Sequence, residues 1–303
     1  MLRGLLESFA TMQIPEGTSV IFGIVENNSE KTSAEIIADC LKNHEVNYQL
    51  QPQLGIAIAR NHVLEISEQE GCDFTTFVDD DEVVHHTWLV ELLAEITSRE
   101  LDLIGGPVGV LPAPDQSTWL QRSINSYLIR QFEKSEQRNA RRHAAGRDRQ
   151  ILLYTGNWMI RNSFLRTSGI RFDEKLGFTG GEDVSFYHAA TKAGAKTGWA
   201  PKALAIERMP PERLSVTYQY RRSRDLSLAV FRLKYPHRNA KVVGRVIGSI
   251  IYMSCRALIL GLLILPTVGF TIPSSCRNLG FAMGRLKGLF GYHSAHYQTV
   301  QGS

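Results

Sequence analysis

The chain has 303 residues, 43% of them hydrophobic and 21% charged, and this composition excludes an intrinsically disordered chain or a coiled coil. Its four widely spaced cysteines form no CxxC pair, which excludes a zinc ribbon, argues against a disulfide scaffold and favours a reducing compartment. No charged segment followed by an apolar segment and a cleavage site opens the chain, so we expect no secretory signal.

The net charge of +4 is unevenly distributed along the chain. No Asp or Glu follows Asp225, whereas nine Lys and Arg do, and the first 225 residues hold 30 acidic and 25 basic side chains. An acidic body joined to a basic tail predicts an anionic partner for the tail. Because the tail is also apolar, a membrane surface is favoured over nucleic acid, and we expect no nucleic-acid partner.

Strands and helices are predicted to alternate through about residue 110. The predicted elements are a helix at 2–12, a strand at 19–25, a helix at 32–43, a short strand at 46–51, a helix at 56–69, a strand at 73–78, a helix at 88–97 and a strand at 101–110 that glycines interrupt. This alternation implies crossover connections, and therefore an α/β fold with a mostly parallel sheet and helices on both faces.

The middle of the chain is less regular. Residues 118–145 are predicted to be helical and end in a run of arginines, which indicates either a solvated helix or mobile loop, or a flap that meets phosphates. A strand near 150–155, a short helix from about Ser163, a helix from near Val184 and a basic helix over 212–234 follow.

The tail contains 20 uncharged residues between Arg256 and Arg277, about the length that spans a bilayer core, although Pro266 and Pro273 interrupt it. One interpretation is a buried helical hairpin of a soluble domain, and another is a single membrane span. We favour a membrane-inserted or re-entrant hairpin with both ends on the cytoplasmic side and flanking basic residues at headgroup level. The predicted domains are a catalytic domain at 1–235 and a membrane-associated region at 236–303.

Acidic residues follow the predicted strand at 73–78. Asp79, Asp80, Asp81 and Glu82 are adjacent, and such charge at the carboxyl end of a strand is costly unless a cation neutralises it. Ligands sit at that edge of open α/β sheets, and Mg²⁺ or Mn²⁺ bridges carboxylate and phosphate oxygens. The pattern predicts a metal–diphosphate site, with an acidic helix N-cap as the alternative.

A second acidic motif is Gly180-Gly181-Glu182-Asp183, before a predicted helix. The glycines allow a close approach of the backbone to a ligand. A carboxylate there acts as a general base if it lies within hydrogen-bond reach of a hydroxyl. Plain helix capping explains the motif equally well.

Four further residues are candidates for binding a nucleotide. Glu26 and Asn27 follow the strand at 19–25 and either bind a base or ribose or form a turn. Arg60 either reaches a diphosphate or forms a surface salt bridge. Arg222 lies in a basic helical run that either stabilises a departing nucleoside diphosphate or faces a membrane.

These segments, in this order, resemble the inverting family 2 glycosyltransferases, and among them the succinoglycan-type subgroup of bacterial exopolysaccharide enzymes. The matching pieces span about residues 19–225 and include IVENNSEKTSAEII, LGIAIARNHVLE, FVDDDEVVHHTWL, YTGNWMIRNSF, TGGEDVSFYHAA and ERMPPERLSVTYQYRRSR. The resemblance implies a Rossmann-like GT-A fold, a nucleotide-sugar donor, usually a UDP-sugar, and Mg²⁺ or Mn²⁺.

The resemblance also implies roles for the acidic residues after the strand at 73–78. Asp79 and Asp81 match the family's DxD element, with Asp80 between them. Asp81 is expected to bind the metal. Asp79 is expected to bind the metal and the ribose or base region, and Asp80 to contribute to donor binding.

The remaining matches concern the donor and the acceptor. Glu26 stands where the family usually has an Asp that faces the base, with Asn27 beside it, and Arg60 matches an arginine near the diphosphate. Asp183 matches the catalytic base, and Glu182 lies next to it at the acceptor. The implied reaction is a single in-line displacement that inverts the anomeric configuration.

The chain departs from the family pattern at two places. The family usually has a first strand before the first helix, and here either the start of the chain is misassigned or the protein lacks that strand, which motivates the scaffold alternative below. No Trp follows Arg222, so the QxxRW motif of processive synthases is only partly matched. We therefore expect transfer of one hexose, with glucose as a candidate, to a lipid-linked glycan at the cytoplasmic face of the inner membrane. The alternatives are a catalytically impaired sugar-nucleotide-binding membrane scaffold and a sugar-phosphate nucleotidyltransferase.

Overall fold

A computed structural model describes residues 1–176, 181–235 and 239–292. The described chain divides into two units. The first holds residues 1–111, 132–176 and 182–208, and the second holds residues 112–131, 181, 209–235 and 239–292.

The helices and strands follow the predicted order through about residue 110. The described strands are β1 (Ile21–Glu26), β2 (Glu45–Leu50), β3 (Phe74–Phe77), β4 (Glu82–Val84), β5 (Leu103–Gly105), β6 (Val108–Val110), β7 (Trp158–Arg161), β8 (Thr197–Trp199) and β9 (Ala205–Glu207). The described α-helices are α1 (Leu2–Thr11), α2 (Ala34–Cys40), α3 (Ile56–Gln69), α4 (Trp88–Ser98), α5 (Trp119–Ala144), α6 (Asn162–Ser168), α7 (Glu182–Lys192), α8 (Val216–Lys234), α9 (Ala240–Leu262) and α10 (Ile272–Leu289).

The strands of the first unit form a mixed arrangement. β1 and β2 pair in parallel, β3, β7, β5 and β8 form a second sheet in that order, and β4, β9 and β6 form a third. Parallel pairs β5–β8 and β6–β9 occur beside the antiparallel pairs β3–β7, β5–β7 and β4–β9. Three of the six described strand pairs are parallel and three are antiparallel, so the sheets are mixed where a mostly parallel sheet was predicted, because β7 and β9 pair in the antiparallel sense with β3, β5 and β4.

Both faces of the second sheet are buried in apolar cores. Leu103 and Ile160 point into one cluster, which contains residues of α3, α6 and α7, whereas their neighbours Ile104 and Met159 belong to another, with residues of α1, α2 and α4. Successive side chains of a strand point to opposite faces, so the alternation places helices on both sides of this sheet, as predicted.

One predicted strand is wrong, and short strands were missed. Residues 150–155 contain no strand, although Ile151 and Leu153 are buried, and the next strand is β7, further along. The apolar residues of this segment are buried, but its backbone pairs with no strand, so the apolar pattern alone misled the prediction. The predicted strand at 101–110 is two strands, β5 and β6, that lie in different sheets.

The second unit contains a close helix pair, α8 and α10. A Cβ on Gly280 would lie 2.4 Å from the backbone oxygen of Tyr220, and one on Gly284 would lie 2.2 Å from that of Arg224. Only glycine permits such a close approach of two helix backbones. Helix α8, which the sequence prediction placed in the catalytic domain, thus packs in the second unit, and the predicted boundary at residue 235 stays a prediction.

The end of the α9–α10 hairpin exposes apolar side chains, which we call the apolar tip (residues 258–270). Its most exposed members are Leu262, Leu265 and Val268, at 81%, 89% and 79%. Ser275 Oγ donates a hydrogen bond to the carbonyl of Ala257 and holds the two helices together. Within the described residues, one helix, α9, is long enough and apolar enough to cross a membrane.

Candidate active site

The acidic residues after β3 form a tight turn into β4, a strand that the sequence analysis missed. The backbone N–H of Glu82 donates to the carbonyl of Asp79 at 3.1 Å, and the N–H of Asp79 donates to Glu82 Oε2 at 3.2 Å. Asp81 and Glu82 are buried, Asp80 is exposed, and the Asp79 side chain is 46% exposed. The turn therefore leaves the Asp79 side chain partly exposed to solvent and buries Asp81 and Glu82.

Glu82 lies in a crowded acidic environment. Burial, together with the charges of Asp79, Asp81 and Glu207, raises the pKa of the Glu82 carboxyl well above its ordinary value. Glu207 faces it directly in the β4–β9 register. A Cβ on Gly156 would lie 2.7 Å from Glu82 Oε1, so the Glu82 carboxylate packs directly against the backbone of Gly156.

The same carboxylates are the residues that could hold a divalent cation. Within the described residues, no three His, Cys, Asp or Glu side chains converge in a metal-binding group. Mg²⁺, however, is commonly held by one or two carboxylates together with substrate phosphates. Asp79 and Asp81 supply oxygen ligands of that kind, and the mutual repulsion at Glu82 is the electrostatic condition that a cation would relieve. The donor set therefore fits the predicted metal.

Arg60 on α3 joins the two acidic motifs. Its Nη1 donates to Glu182 Oε1 at 2.6 Å and its Nη2 donates to Asp79 Oδ1 at 3.1 Å. The arginine is buried, and although burial disfavours the charge, Asp79, Glu182 and Asp183 raise the pKa of its guanidinium. Arg60 thus forms a buried bridge, not the surface salt bridge considered from the sequence.

Glu182 and Asp183 begin α7. Burial raises the pKa of both carboxyls, and Arg60 opposes that effect in each. Glu182 Oε2 is buried and has no hydrogen-bond partner among the described residues. Asp183 is half-buried, and its Oδ1 accepts a hydrogen bond from the N–H of Val184 at 2.7 Å. A carboxylate with a raised pKa is suited to accepting a proton.

A cavity of about 10 Å³ lies beside Asp183, with room for about one water molecule. Its lining includes Trp158, Thr155 and Tyr187. Trp158 is 2% exposed, and its Nε1 donor has no partner within the described part of the chain. Trp158 lies within the segment YTGNWMIRNSF, and no local pattern marks it as a functional residue. Its buried donor could be found only from the packing of Phe77, Phe172 and Phe186 around it.

Glu26 and Asn27 make extensive contacts within the protein. The Glu26 carboxylate accepts hydrogen bonds from Thr32, Ser33 and Tyr48, which outweigh burial and lower its pKa. Asn27 Nδ2 donates to the carbonyls of Gln51 and Gln53, and its Oδ1 accepts from the N–H of Gly55. These contacts fix the ends of β1 and β2, and the donor-binding role of both residues stays a prediction.

Arg222 belongs to the second unit, where its Nη1 donates to the hydroxyl of Tyr218 at 3.2 Å. Its predicted role at the donor stays a prediction, as does that of Asp80. Gly180, at the start of the second acidic motif, lies outside the described residues.

The sequence and fold of the chain are similar to those of known proteins. The sequence model described as "Glycosyl transferase family 2" matches residues 3–168, more than half of the chain. The chain belongs to glycosyl transferase family 2. The predicted family is therefore confirmed, and the chain is a glycosyltransferase. No observation favours the scaffold or nucleotidyltransferase alternatives.

One curated protein and one solved structure are similar to this chain. The succinoglycan biosynthesis protein ExoM of Rhizobium meliloti (strain 1021) is 29% identical over 224 residues, which cover 73% of this glycosyltransferase and 67% of ExoM. The crystal structure of S. aureus TarS 1–349 in complex with UDP matches with a TM-score of 0.50 and 15% identity, over 96% of this chain and 88% of that one. The structural likeness confirms a GT-A-like α/β fold.

Proposed function

We propose that this glycosyltransferase transfers one hexose from a UDP-sugar to a hydroxyl of a lipid-linked glycan in exopolysaccharide or cell-surface polysaccharide synthesis. The observation that carries the proposal is the buried Arg60, which joins Asp79 to Glu182, next to Asp183. One guanidinium thereby brings the predicted donor and acceptor motifs into a single site of the first unit. The likeness to a succinoglycan biosynthesis protein supports the class of pathway.

The mechanism assigns the proton transfer to Asp183. Its raised pKa suits a group that removes the proton of an acceptor hydroxyl as that oxygen attacks the anomeric carbon. Arg60 positions Glu182, and its charge favours the ionised form of Glu182 and Asp183 against the effect of burial. Because one displacement forms the new bond and breaks the old one, the anomeric configuration inverts.

Asp79 and Asp81 are the residues that would hold Mg²⁺ or Mn²⁺. Such an ion, when bound, stabilises the negative charge of a departing diphosphate. Asp80, Glu26 and Asn27 remain the proposed additional donor contacts.

A membrane location at the cytoplasmic face of the inner membrane is part of the proposal. The apolar tip exposes large side chains, and no acidic residue occurs after Asp225. Exposed apolar side chains flanked by cations are typical of surfaces that enter anionic bilayers. The tail would hold the enzyme beside a lipid-linked acceptor.

Transfer assays with the full-length protein test this function. The protein is incubated with radiolabelled UDP-hexoses, Mn²⁺ or Mg²⁺ and a bacterial membrane lipid extract, and label in the organic phase is measured. We expect label from one UDP-sugar to enter the lipid fraction, and Asp183→Asn to abolish this transfer. Label confined to free sugar, or transfer unchanged by Asp183→Asn, would contradict the proposal.

A further inference from the structure

The second unit contains a half-buried cationic group that the mechanism above does not use. Arg277 on α10 is half-buried, and its Nη1 donates to Gln219 Oε1 at 2.8 Å. Its guanidinium lies over the ring of Tyr127, 5.8 Å from the ring centroid. Its described partners are thus an amide oxygen and an aromatic ring, which orient the guanidinium but leave its charge uncompensated.

A second arginine lies beside it. Gln219 and Arg222 are three residues apart on α8 and therefore share a face of that helix. Burial depresses the pKa of the Arg277 guanidinium, and the positive charge of nearby Arg222 depresses it further. Two like charges held close together are unfavourable unless an anion joins them.

The rest of the second unit does not supply that anion readily. Residues 112–131 and 209–303 contain three acidic side chains, Asp115, Glu212 and Asp225, against fifteen basic ones. Asp225 forms an ion pair with its neighbour Arg224 at 2.8 Å. The uncompensated charge at Arg277 therefore points to a ligand from outside the chain.

We propose that Arg277, with Arg222, Gln219 and Tyr127, binds the phosphate headgroup of a lipid. This inference rests on the proposed function, because it names the part of a lipid-linked acceptor that this unit recognises. A guanidinium fork matches the geometry of phosphate oxygens, and a fixed, partly desolvated fork binds them more strongly than a solvated one.

The position of the site in its unit favours a lipid over a soluble phosphate. Arg277 lies five residues after the start of α10 at Ile272, about 8 Å along the helix axis, and the apolar tip ends just before that start. A chain that buries the tip among acyl chains would bring Arg277 to the depth of the headgroups. The diphosphate of a soluble nucleotide has no acyl chain that could contact the adjoining apolar surface.

Vesicle binding tests the site without relying on sugar transfer. The full-length protein is mixed with phosphatidylcholine vesicles that contain either phosphatidic acid, whose phosphate is a monoester, or phosphatidylglycerol, whose phosphate is a diester, at matched surface charge. We expect tighter binding to the phosphatidic acid vesicles. Arg277→Gln should reduce that preference roughly tenfold, the loss expected for one charge-assisted contact, and should leave binding to the phosphatidylglycerol vesicles nearly unchanged.

Three further variants control this experiment. Arg222→Gln, at an exposed position, should reduce the same preference even if Arg277→Gln fails to fold, and Arg277→Lys should retain part of it. Arg256→Gln removes an exposed cation from α9 and should leave the preference intact. An unchanged preference in both Arg277→Gln and Arg222→Gln would overturn the inference.

A second arm separates lipid phosphate from soluble phosphate. UDP and inorganic pyrophosphate are titrated into the same variants by calorimetry. If Arg277→Gln weakens UDP binding as much as vesicle binding, the site belongs to the donor and the lipid assignment is wrong. If the wild type transfers no sugar to lipid, but Arg277→Gln still loses the preference for phosphatidic acid vesicles, the proposed function is contradicted and the lipid-phosphate site is supported.

Discussion

At the scale of single residues, the site depends on one cation among several carboxylates. Breaking a buried ion pair by removing one partner is costly because it leaves an uncompensated charge. Arg60 is such a partner for Asp79 and Glu182, and it also lowers the energy of ionised Asp183. The ionisation of the proposed base is therefore tied to Arg60.

Arg60→Gln should shift the acid limb of the pH profile of kcat/KM to higher pH. Burial already raises the pKa of Asp183, and without the nearby guanidinium that pKa rises further, so that a higher pH is needed to deprotonate the base. Arg60→Lys should shift the limb less because it keeps the charge. The measurement is kcat/KM for sugar transfer as a function of pH.

The control for this profile is Arg171→Gln, which removes the bridge from Arg171 to Glu68 at 2.7 Å in the same unit. It should leave the acid limb in place. An acid limb at the same pH in wild type and Arg60→Gln would refute the link between Arg60 and the base.

At the scale of helices and strands, the sequence predicted those elements whose apolar pattern extends over several turns or alternations. Helices α3 and α4 and strand β1 lie within a few residues of their predicted positions. Strands β4, β8 and β9 have three residues each, too few for a period of two to be recognised. Their pairing depends on partners distant in the chain, such as Glu82 opposite Glu207.

The candidate site was predictable only where its residues form a local pattern in the sequence. The carboxylates of both motifs were identified because adjacent charges after a strand or before a helix are unusual in a sequence. The bridge through Arg60 was not predictable, because it joins residues 60 and 182 across 122 positions. The buried donor of Trp158 depends on the packing of four aromatic rings and leaves no local signal.

Helix α5 places an acidic side chain against β6. Burial raises the pKa of Glu136 to about 7, although the N–H of Val108 partly stabilises its charge. Since the folded state binds this proton more tightly than the unfolded chain, stability is full below the ordinary pKa and declines as pH rises towards 7.

Glu136→Gln should remove that decline. The wild type should lose up to about 2 kcal/mol of unfolding free energy, after allowance for solvent screening, between acidic and neutral pH relative to the variant. Urea unfolding of both proteins across this range measures the difference. Glu133→Gln, at an exposed position of the same helix, is the control and should follow the wild type, whereas parallel curves for wild type and Glu136→Gln would contradict the burial argument.

At the scale of the whole molecule, two segments of opposite net charge occur in one chain. The first 225 residues carry an acidic excess, and the last 78 carry nine basic and no acidic side chains. The family model covers residues 3–168 and so says nothing of the apolar tip. Composition alone predicted an anionic, apolar partner for the tail.

Replacing Leu262, Leu265 and Phe270 together by Ser should release the protein from anionic vesicles. Each large apolar side chain contributes about 1.5–3 kcal/mol when fully buried, so the combined loss in vesicle affinity should be roughly a hundredfold or more. Flotation with phosphatidylglycerol-containing vesicles measures it. The control is Leu226→Ser with Val230→Ser, which removes exposed apolar groups from α8 of the same unit, and equal flotation of both variants would show that the tip has no special role.

The central claim is that the acidic turn after β3 and the start of α7 form one donor-and-base site. Crystals of the full-length protein soaked with Mn²⁺ and UDP, recorded at the manganese absorption edge, test it most directly. The account predicts an anomalous peak within coordination distance of Asp79 or Asp81, bridged to the diphosphate and on the side of the turn where Arg60 and Asp183 lie. UDP bound elsewhere, with no peak at these carboxylates, would contradict it.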